Sequence, residues 1–266
     1  NFATEQHNRH KGDQAARLRA GEEILFDEEI ELLGDLHGKR LVHLQCNAGQ
    51  DTLCLARRGA EAVGVDFSDT AIQFAQTLVK DTGIEARFVL DDVIHYLETT
   101  DDRFDLAFSS YGAVGGLQDI ARWARGVARV LQPGGSYNYV EIHPLDWTYS
   151  GEAPFALTGD DYFSKEPFIE PVGDYVAESG AHLGVVDSKP SEPNPHIAKS
   201  WQHTLGSVVE SLVQAGLHLE VLKEYPYSNG CRLHAGLVPM KGRRFGWPKG
   251  TARVPLMFAL RARKPI

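Results

Sequence analysis

Apolar and polar positions follow two different rhythms along this chain. LVHLQC (41–46), AVGVDF (62–67), ARFVLDDV (86–93), FDLAFSSY (104–111) and GSYNYVEI (135–142) are short apolar runs that read as strands. Between them, DTAIQFAQTLVKDTG and DIARWARGVARVLQPGG place apolar residues at helical spacing and end in glycine. Helical spacing also runs from about Asp13 to Leu36, with Ile24, Leu25, Ile30, Leu32 and Leu33 as its apolar members. Strand and helix in alternation imply a parallel sheet with helices on both faces, an α/β fold.

The rhythm is lost after Ile142. From residue 144 to about 202 the chain carries most of its prolines, several aromatics and no convincing long helix. That is too much irregular chain for an ordinary connection and predicts an insertion or lid. Regularity returns with HTLGSVVESLVQAGL, a helix closed by Gly216, then strand-like LEVLKEY (219–225) and VPLMFALRAR (254–263). The expected organisation is an N-terminal helical segment or lid (1–40), a ligand-binding core (41–143), a lid insertion (144–202) and a C-terminal helix with antiparallel strands completing the sheet (203–266).

Composition narrows the partners. A chain of 266 residues with 42% apolar content suffices for one large domain with an insertion. Its net charge of −9 disfavours nucleic acid or an anionic membrane as a partner. The run from Lys241 to Ile266, with eight basic residues and no acid, reads as cations flanking a surface loop and a last strand. Cys46, Cys54 and Cys231 form no CxxC pair, so neither a zinc site nor a disulfide framework is expected, and a reducing compartment fits. No run approaches a membrane span of roughly 18 apolar residues, and the polar start lacks a signal-peptide core. A cytoplasmic location is expected.

In an open parallel sheet, ligands bind beyond the carboxyl ends of the strands, where the strand order reverses. The first such turn is Cys46, Asn47, Ala48, Gly49, Gln50 and Asp51. Gly49 permits close backbone approach, and the following helix start offers free N–H groups. Asp66 ends the second strand, where a carboxylate can accept both hydroxyls of a ribose. Asp91 and Asp92 close the third strand, and Ser109 and Tyr111 lie where the fourth runs into SSYGAVGGL. Ser68 and Asp69 can equally cap the next helix. Acids after two successive strands, spaced around Gly49, point to a nucleoside-type ligand. A nicotinamide dehydrogenase would need G-x-G-x-x-G in the first turn, and Asn47 stands where that fingerprint needs glycine.

These residues resemble the class I methyltransferases that use S-adenosylmethionine (SAM), and the similarity covers nearly the whole chain. Within them the chain is similar to a bacterial subgroup with an HLQC first strand (His43 to Cys46), a GVDFS second strand (Gly64 to Ser68), PGG before the fifth (Pro133 to Gly135) and E-x-HP after it (Glu141, His143, Pro144). AGLHLEVLKEYPYS and VPLMFALRARKP also look like that subgroup. The resemblance implies a Rossmann-like, seven-stranded, mostly parallel sheet. It implies that Asp66 holds the ribose, Asp92 or else Asp91 the adenine amino group, and that Phe67 and Val93 flank the adenine. Gly49 and its neighbours would border the methionine moiety. The family's first motif has an acid and three glycines. Here His43, Gln45 and Asn47 replace three of the four, so Gln50 or Asp51 stands in for part of the usual clamp.

The chemistry implied is methyl transfer to a small molecule. A sulfonium is already a strong electrophile, so the protein need only exclude water, align a nucleophile and take its proton; no metal is expected. Candidates for the proton are His143, Glu141, His203 and Tyr111, where His143 and Glu141 can equally be a strand-end histidine bonded to backbone and an acid paired with a lid cation. Asn138, inside the fifth strand, either satisfies neighbouring backbone or points at the ligand. Tyr137 and Tyr139 face the other way. Of the insertion's aromatics, Tyr175 and Trp201 are the foremost candidates to close over a sulfonium. Two alternatives use the same cofactor. The chain also resembles azetidine-2-carboxylate synthases, in which SAM cyclises to azetidine-2-carboxylate and methylthioadenosine. The other alternative is a non-catalytic SAM-binding protein.

Overall fold

A computed structural model describes residues 1–149, 156–157, 161–171 and 193–266. All five early apolar runs become strands: Arg40–Leu44 (β1), Glu61–Asp66 (β2), Arg87–Leu90 (β3), Phe104–Ser110 (β4) and Leu131–Ile142 (β5). They pair in parallel in the order β3-β2-β1-β4-β5. Met257–Arg263 (β12) joins β5 antiparallel and His218–Tyr225 (β8) joins β12 antiparallel, completing seven strands. The expected α/β fold with a mostly parallel seven-stranded sheet is what forms. Because β1 lies between β2 and β4, the order reverses there, and the carboxyl ends of β1 and β4 mark the switch point.

Helices Gln50–Arg57 (α4), Asp69–Thr82 (α5), Val93–Thr99 (α6), Ile120–Val130 (α7) and Leu205–Gln214 (α8) cover the sheet. Ser68 caps α5 through a 3.1 Å bond from the Ala71 N–H, and Gly83 closes it at φ 69°. One face packs Trp123, Val127 and Leu212 against Val42, Tyr137 and Leu260; the other packs Leu53, Leu55 and Leu78 against Leu41 and Phe108.

The expected helix over 13–36 is two short ones, Gln14–Arg19 (α2) and Asp27–Leu33 (α3). Asp13 caps α2 by accepting the Ala16 N–H, and Gly21 at φ 79° turns the chain out of helix soon after. A helix the pattern did not announce, Phe2–His10 (α1), precedes them; its buried residues are Thr4, Gln6, His7 and His10. The pattern also gave no sign of α6, or of a three-stranded sheet of Tyr227–Asn229 (β9), Val238–Met240 (β10) and Arg244–Gly246 (β11).

In the insertion, Phe168–Pro171 (β6) pairs antiparallel with Ile197–Ser200 (β7), and Trp147 stacks on Phe168 at 5.4 Å. The returning chain docks on the loop after β4: the Trp201 N–H donates to the Gly115 carbonyl at 2.7 Å, and His203 Nε2 lies 2.6 Å from the Leu117 carbonyl.

Much of the basic C-terminal run makes internal contacts, while Lys241, Lys249 and Arg253 are exposed. Arg243 stacks on Phe26 and donates to the Ile24 carbonyl, Arg244 pairs with Glu28, Arg263 with Glu220, and Lys264 caps the carbonyls of Ala128 and Leu131. These contacts fasten the N-terminal segment and α7 to the sheet. Among the described residues no helix is long and apolar enough to cross a membrane.

Candidate functional site

The turn after β1 carries three residues at positive φ: Gln45 at 54°, Asn47 at 48° and Gly49 at 78°. Left-handed backbone at two non-glycine positions stores strain that the surroundings must hold. Gln45 Nε2 does so by donating to the Ala113 carbonyl, tying the turn after β1 to the loop after β4 across the switch point. Gly49 answers a different need from the one expected. A Cβ there would lie 2.6 Å from Ala75 Cβ and 2.7 Å from the Phe88 ring, so glycine is needed for the turn to pack on α5 and β3. His43, standing where the family has an acid, bonds Thr52 at 2.8 Å, and burial pushes its imidazole down to about 3. It is neutral at ordinary pH.

Asp66 forms the corner expected to meet a ribose. It is 7% exposed; Oδ2 accepts the Asn47 N–H at 2.8 Å and Oδ1 the Ser68 N–H at 2.9 Å. Burial raises its pKa, against those two bonds. A carboxylate has about four acceptor directions, so two remain for incoming hydroxyls. Phe67, next in the chain, is 77% exposed, and Leu90, the partner of Asp66 across the β2–β3 pair, is 54% exposed. Two large apolar side chains are thus left in solvent beside a buried acid, which is an unusual use of apolar surface. Val93 is buried at the start of α6. Asp92 Oδ1 caps α6 through the N–H groups of Ile94 and His95, and Asp91 bonds His95 Nδ1 at 2.8 Å. Of these two acids, Asp92 keeps an oxygen outside the cap.

Helix α1 crosses over this turn. Thr4 bonds Asn47 at 3.4 Å, Ser68 donates to Asn1 at 2.7 Å, and Gln50 donates to Asn8 at 3.0 Å and to Gln14. Gln50 and Asn47, expected at the methionine moiety, are thus engaged by the N-terminal segment. The Cys46 Sγ is buried beneath Gly64, and burial holds its thiol well above the ordinary range.

A second corner, missed in the sequence, lies beside the carboxyl ends of β1 and β4. Glu29 of α3 is 1% exposed and accepts the Phe26 N–H at 2.8 Å. It also bonds the Tyr111 hydroxyl, which in turn accepts from Asn229 Nδ2 at 3.0 Å. Asp51, in the first turn of α4, faces the pair. Glu28 is satisfied by Arg244 at 2.7 Å, Tyr227 at 2.7 Å and Asn229 at 2.9 Å. A signal was available: Leu25, Glu29, Leu32, Leu33 and Leu36 share one buried helical register, and Glu29 is an acid at an apolar position.

The remaining candidates hold structure. Glu141 accepts the Gly112 N–H, the Ile142 N–H and the Tyr139 hydroxyl at 2.7–2.8 Å, fixing the loop that carries Tyr111 rather than pairing with a lid cation. Tyr111 itself sits at φ 32°. His143 accepts the Leu145 N–H at 3.2 Å and lies 3.0 Å from Glu224; burial lowers its pKa. Ser109, one residue before the end of β4, is wholly buried. Tyr175 lies outside the described residues.

Asn138 takes the packing arrangement rather than the ligand-facing one. It stands four residues before the end of β5, about 13 Å from the carboxyl edge at 3.3 Å per residue. Its Nδ2 donates to Ser136, its Oδ1 accepts Arg261 Nε at 3.1 Å, and Arg261 reaches on to the Leu32 carbonyl. Asn138→Ala is therefore expected to cost roughly 1–3 kcal/mol of stability, because it removes a wholly buried amide and the acceptor of the partly buried Arg261 guanidinium. Thermal melting measures the loss; an unchanged melting temperature would contradict it.

Comparison with known proteins agrees with this architecture. The family model of a methyltransferase domain matches residues 42–135. A ubiquinone biosynthesis O-methyltransferase of Alkalilimnicola ehrlichii is 28% identical over 52% of this chain and 54% of its own length. An uncharacterized methyltransferase of a Synechocystis strain is 33% identical over 48% of this chain and 59% of its own. The chain thus spans little more than half the length of these curated relatives. Among solved structures, a SAM-dependent methyltransferase from Mesorhizobium loti superposes with a TM-score of 0.57 at 20% identity, over 88% of this chain and 94% of that one. The fold is the Rossmann-like fold of SAM-dependent methyltransferases.

Proposed function

We propose that this chain is a SAM-dependent methyltransferase acting on a small molecule. The observation that carries the reading is the Asp66 corner: a buried carboxylate with acceptor capacity to spare, followed by exposed Phe67 and paired with exposed Leu90, at the end of the strand beside the switch point. The residues fit a cationic nucleoside. Asp66 holds the ribose hydroxyls, Phe67, Leu90 and Val93 flank the base, Asp92 meets its amino group, and Glu29 and Asp51 place two acidic groups at the Tyr111 corner. Bound there, SAM supplies a methyl group on an electrophilic sulfonium. The protein's part is to exclude water and align the acceptor, for which α1 and the insertion with Trp201 serve as covers.

A compact acceptor fits better than a nucleic acid, since the net charge is −9 and five of the eight cations in the basic run are engaged in internal contacts. Intramolecular cyclisation of SAM would suit an Asn138 free to fold the methionine chain beneath an aromatic lid. Asn138 is engaged by Arg261 and Ser136, so methyl transfer is carried forward.

Mass spectrometry of the purified protein tests the choice. S-adenosylhomocysteine (SAH) formed only when an acceptor is added is the expected result. Methylthioadenosine formed from SAM alone would replace methyl transfer by cyclisation. Tight SAM binding with no product across acceptor panels would make the chain a binding protein.

A further inference from the structure

Glu29 is a buried acid without a cation in contact. Its own element adds Glu28, already neutralised by Arg244, Tyr227 and Asn229. From α4 it faces Asp51, and Lys11, Arg243 and Glu23 act on Asp51 only through space. From the loop after β4 it meets the Tyr111 hydroxyl. Because that hydroxyl accepts from Asn229, its own proton points to Glu29. Tyr111 is half-buried while Glu29 is sealed behind it, so anything arriving at this corner touches the phenol first.

We propose that Glu29 is the proton store of this site: it releases its proton when a ligand cation arrives beside Tyr111 and takes one up when that positive charge is lost. The proposal rests on the SAM reading. Burial and the charge of Asp51 push the Glu29 carboxyl up to about 8, so near neutral pH it holds a proton. A positive charge nearby favours the carboxylate and drives that proton to solvent. The ionised Glu29 then stands behind Tyr111 as a positioned acceptor for a proton leaving a bound acceptor through the phenol oxygen. Once the cationic charge has gone, Glu29 binds that proton more tightly again, which favours its capture. Glu29 touches no ligand in this scheme; it is a positioning residue acting through Tyr111.

Calorimetry of the full chain in two buffers of different protonation enthalpy counts the protons exchanged on binding. With SAM at pH 7 the wild type is expected to release up to about one proton, and with the uncharged thioether SAH close to none. Release of SAM-linked protons should fade above pH 8, where Glu29 is already ionised. Glu29→Gln should bind SAM with no proton release. If that variant does not fold, Asp51→Asn serves, since removing the neighbouring charge loosens the proton and should reduce the release at pH 7. Equal release with SAM and SAH, or undiminished release from Glu29→Gln, would overturn the proposal. SAM binding with no proton exchange would overturn it and leave the cofactor reading intact; no binding of either ligand would overturn both.

Discussion

Glu141→Ala is expected to lower the stability of the fold by roughly 2–4 kcal/mol, because it removes the shared acceptor of one buried and two partly buried donors. The Gly112 N–H, the Ile142 N–H and the Tyr139 hydroxyl all end on this one carboxylate. Each donor left without a partner costs on the order of 1–3 kcal/mol, and a water entering the vacated space answers only part of the deficit. The loop it holds also carries Tyr111 at a positive φ, a conformation that persists only while its surroundings enforce it. Glu141→Gln, which keeps one carbonyl acceptor, should recover part of the loss. Denaturant melts of the three proteins measure this. Normal melting of Glu141→Ala with abolished turnover would instead make Glu141 a reacting group.

Asp66→Ala is expected to weaken SAM binding by about a hundredfold, since two hydroxyl hydrogen bonds to a carboxylate contribute roughly 3 kcal/mol together. The structure adds a consequence that a surface acid would not have. Asp66 also accepts the N–H groups of Asn47 and Ser68, so the alanine variant should melt earlier as well as bind less. Asp66→Asn separates the two effects, because it retains one carbonyl oxygen for a backbone partner while losing the charge. Calorimetric titration of both variants with SAM is the measurement, and wild-type affinity in the alanine variant would place the ribose elsewhere.

The sheet was legible because its strands are apolar runs bounded by acids, serines and glycines, and Asp66 was legible because it ends such a run. What escaped has a physical reason in each case. Helix α1 has no apolar stripe: it buries Thr4, Gln6, His7 and His10, so hydrophobic periodicity has nothing to report. Asn138 was conspicuous as an amide in an apolar strand, but composition does not say how far along the strand it lies, nor that Arg261 from the chain's other end would meet it. Gly49 was read as a ligand cradle, and only the positions of Ala75 and Phe88 show that it makes room for packing. Glu29 was not singled out, being one of three acids in the first turn of α3; its spacing from Leu25, Leu32 and Leu33 was the sign that it is buried.

The guanidinium of Arg261, joined to Asn138 on one side and to the Leu32 carbonyl on the other, fastens α3 to the last strand of the sheet. This bears on the order in which the two corners come into being. Asp66 draws its partners from residues 47 and 68, near neighbours in sequence whose loops close early and at little entropic cost. Glu29 is held in a frame that also needs Asn229, Arg244 and Arg261, two hundred or so positions downstream. A nascent chain can therefore assemble its nucleoside corner while the proton-holding corner still waits for the final strand. Refolding monitored at both places should show the ribose side acquiring structure first, with competence for chemistry appearing only in the slowest phase.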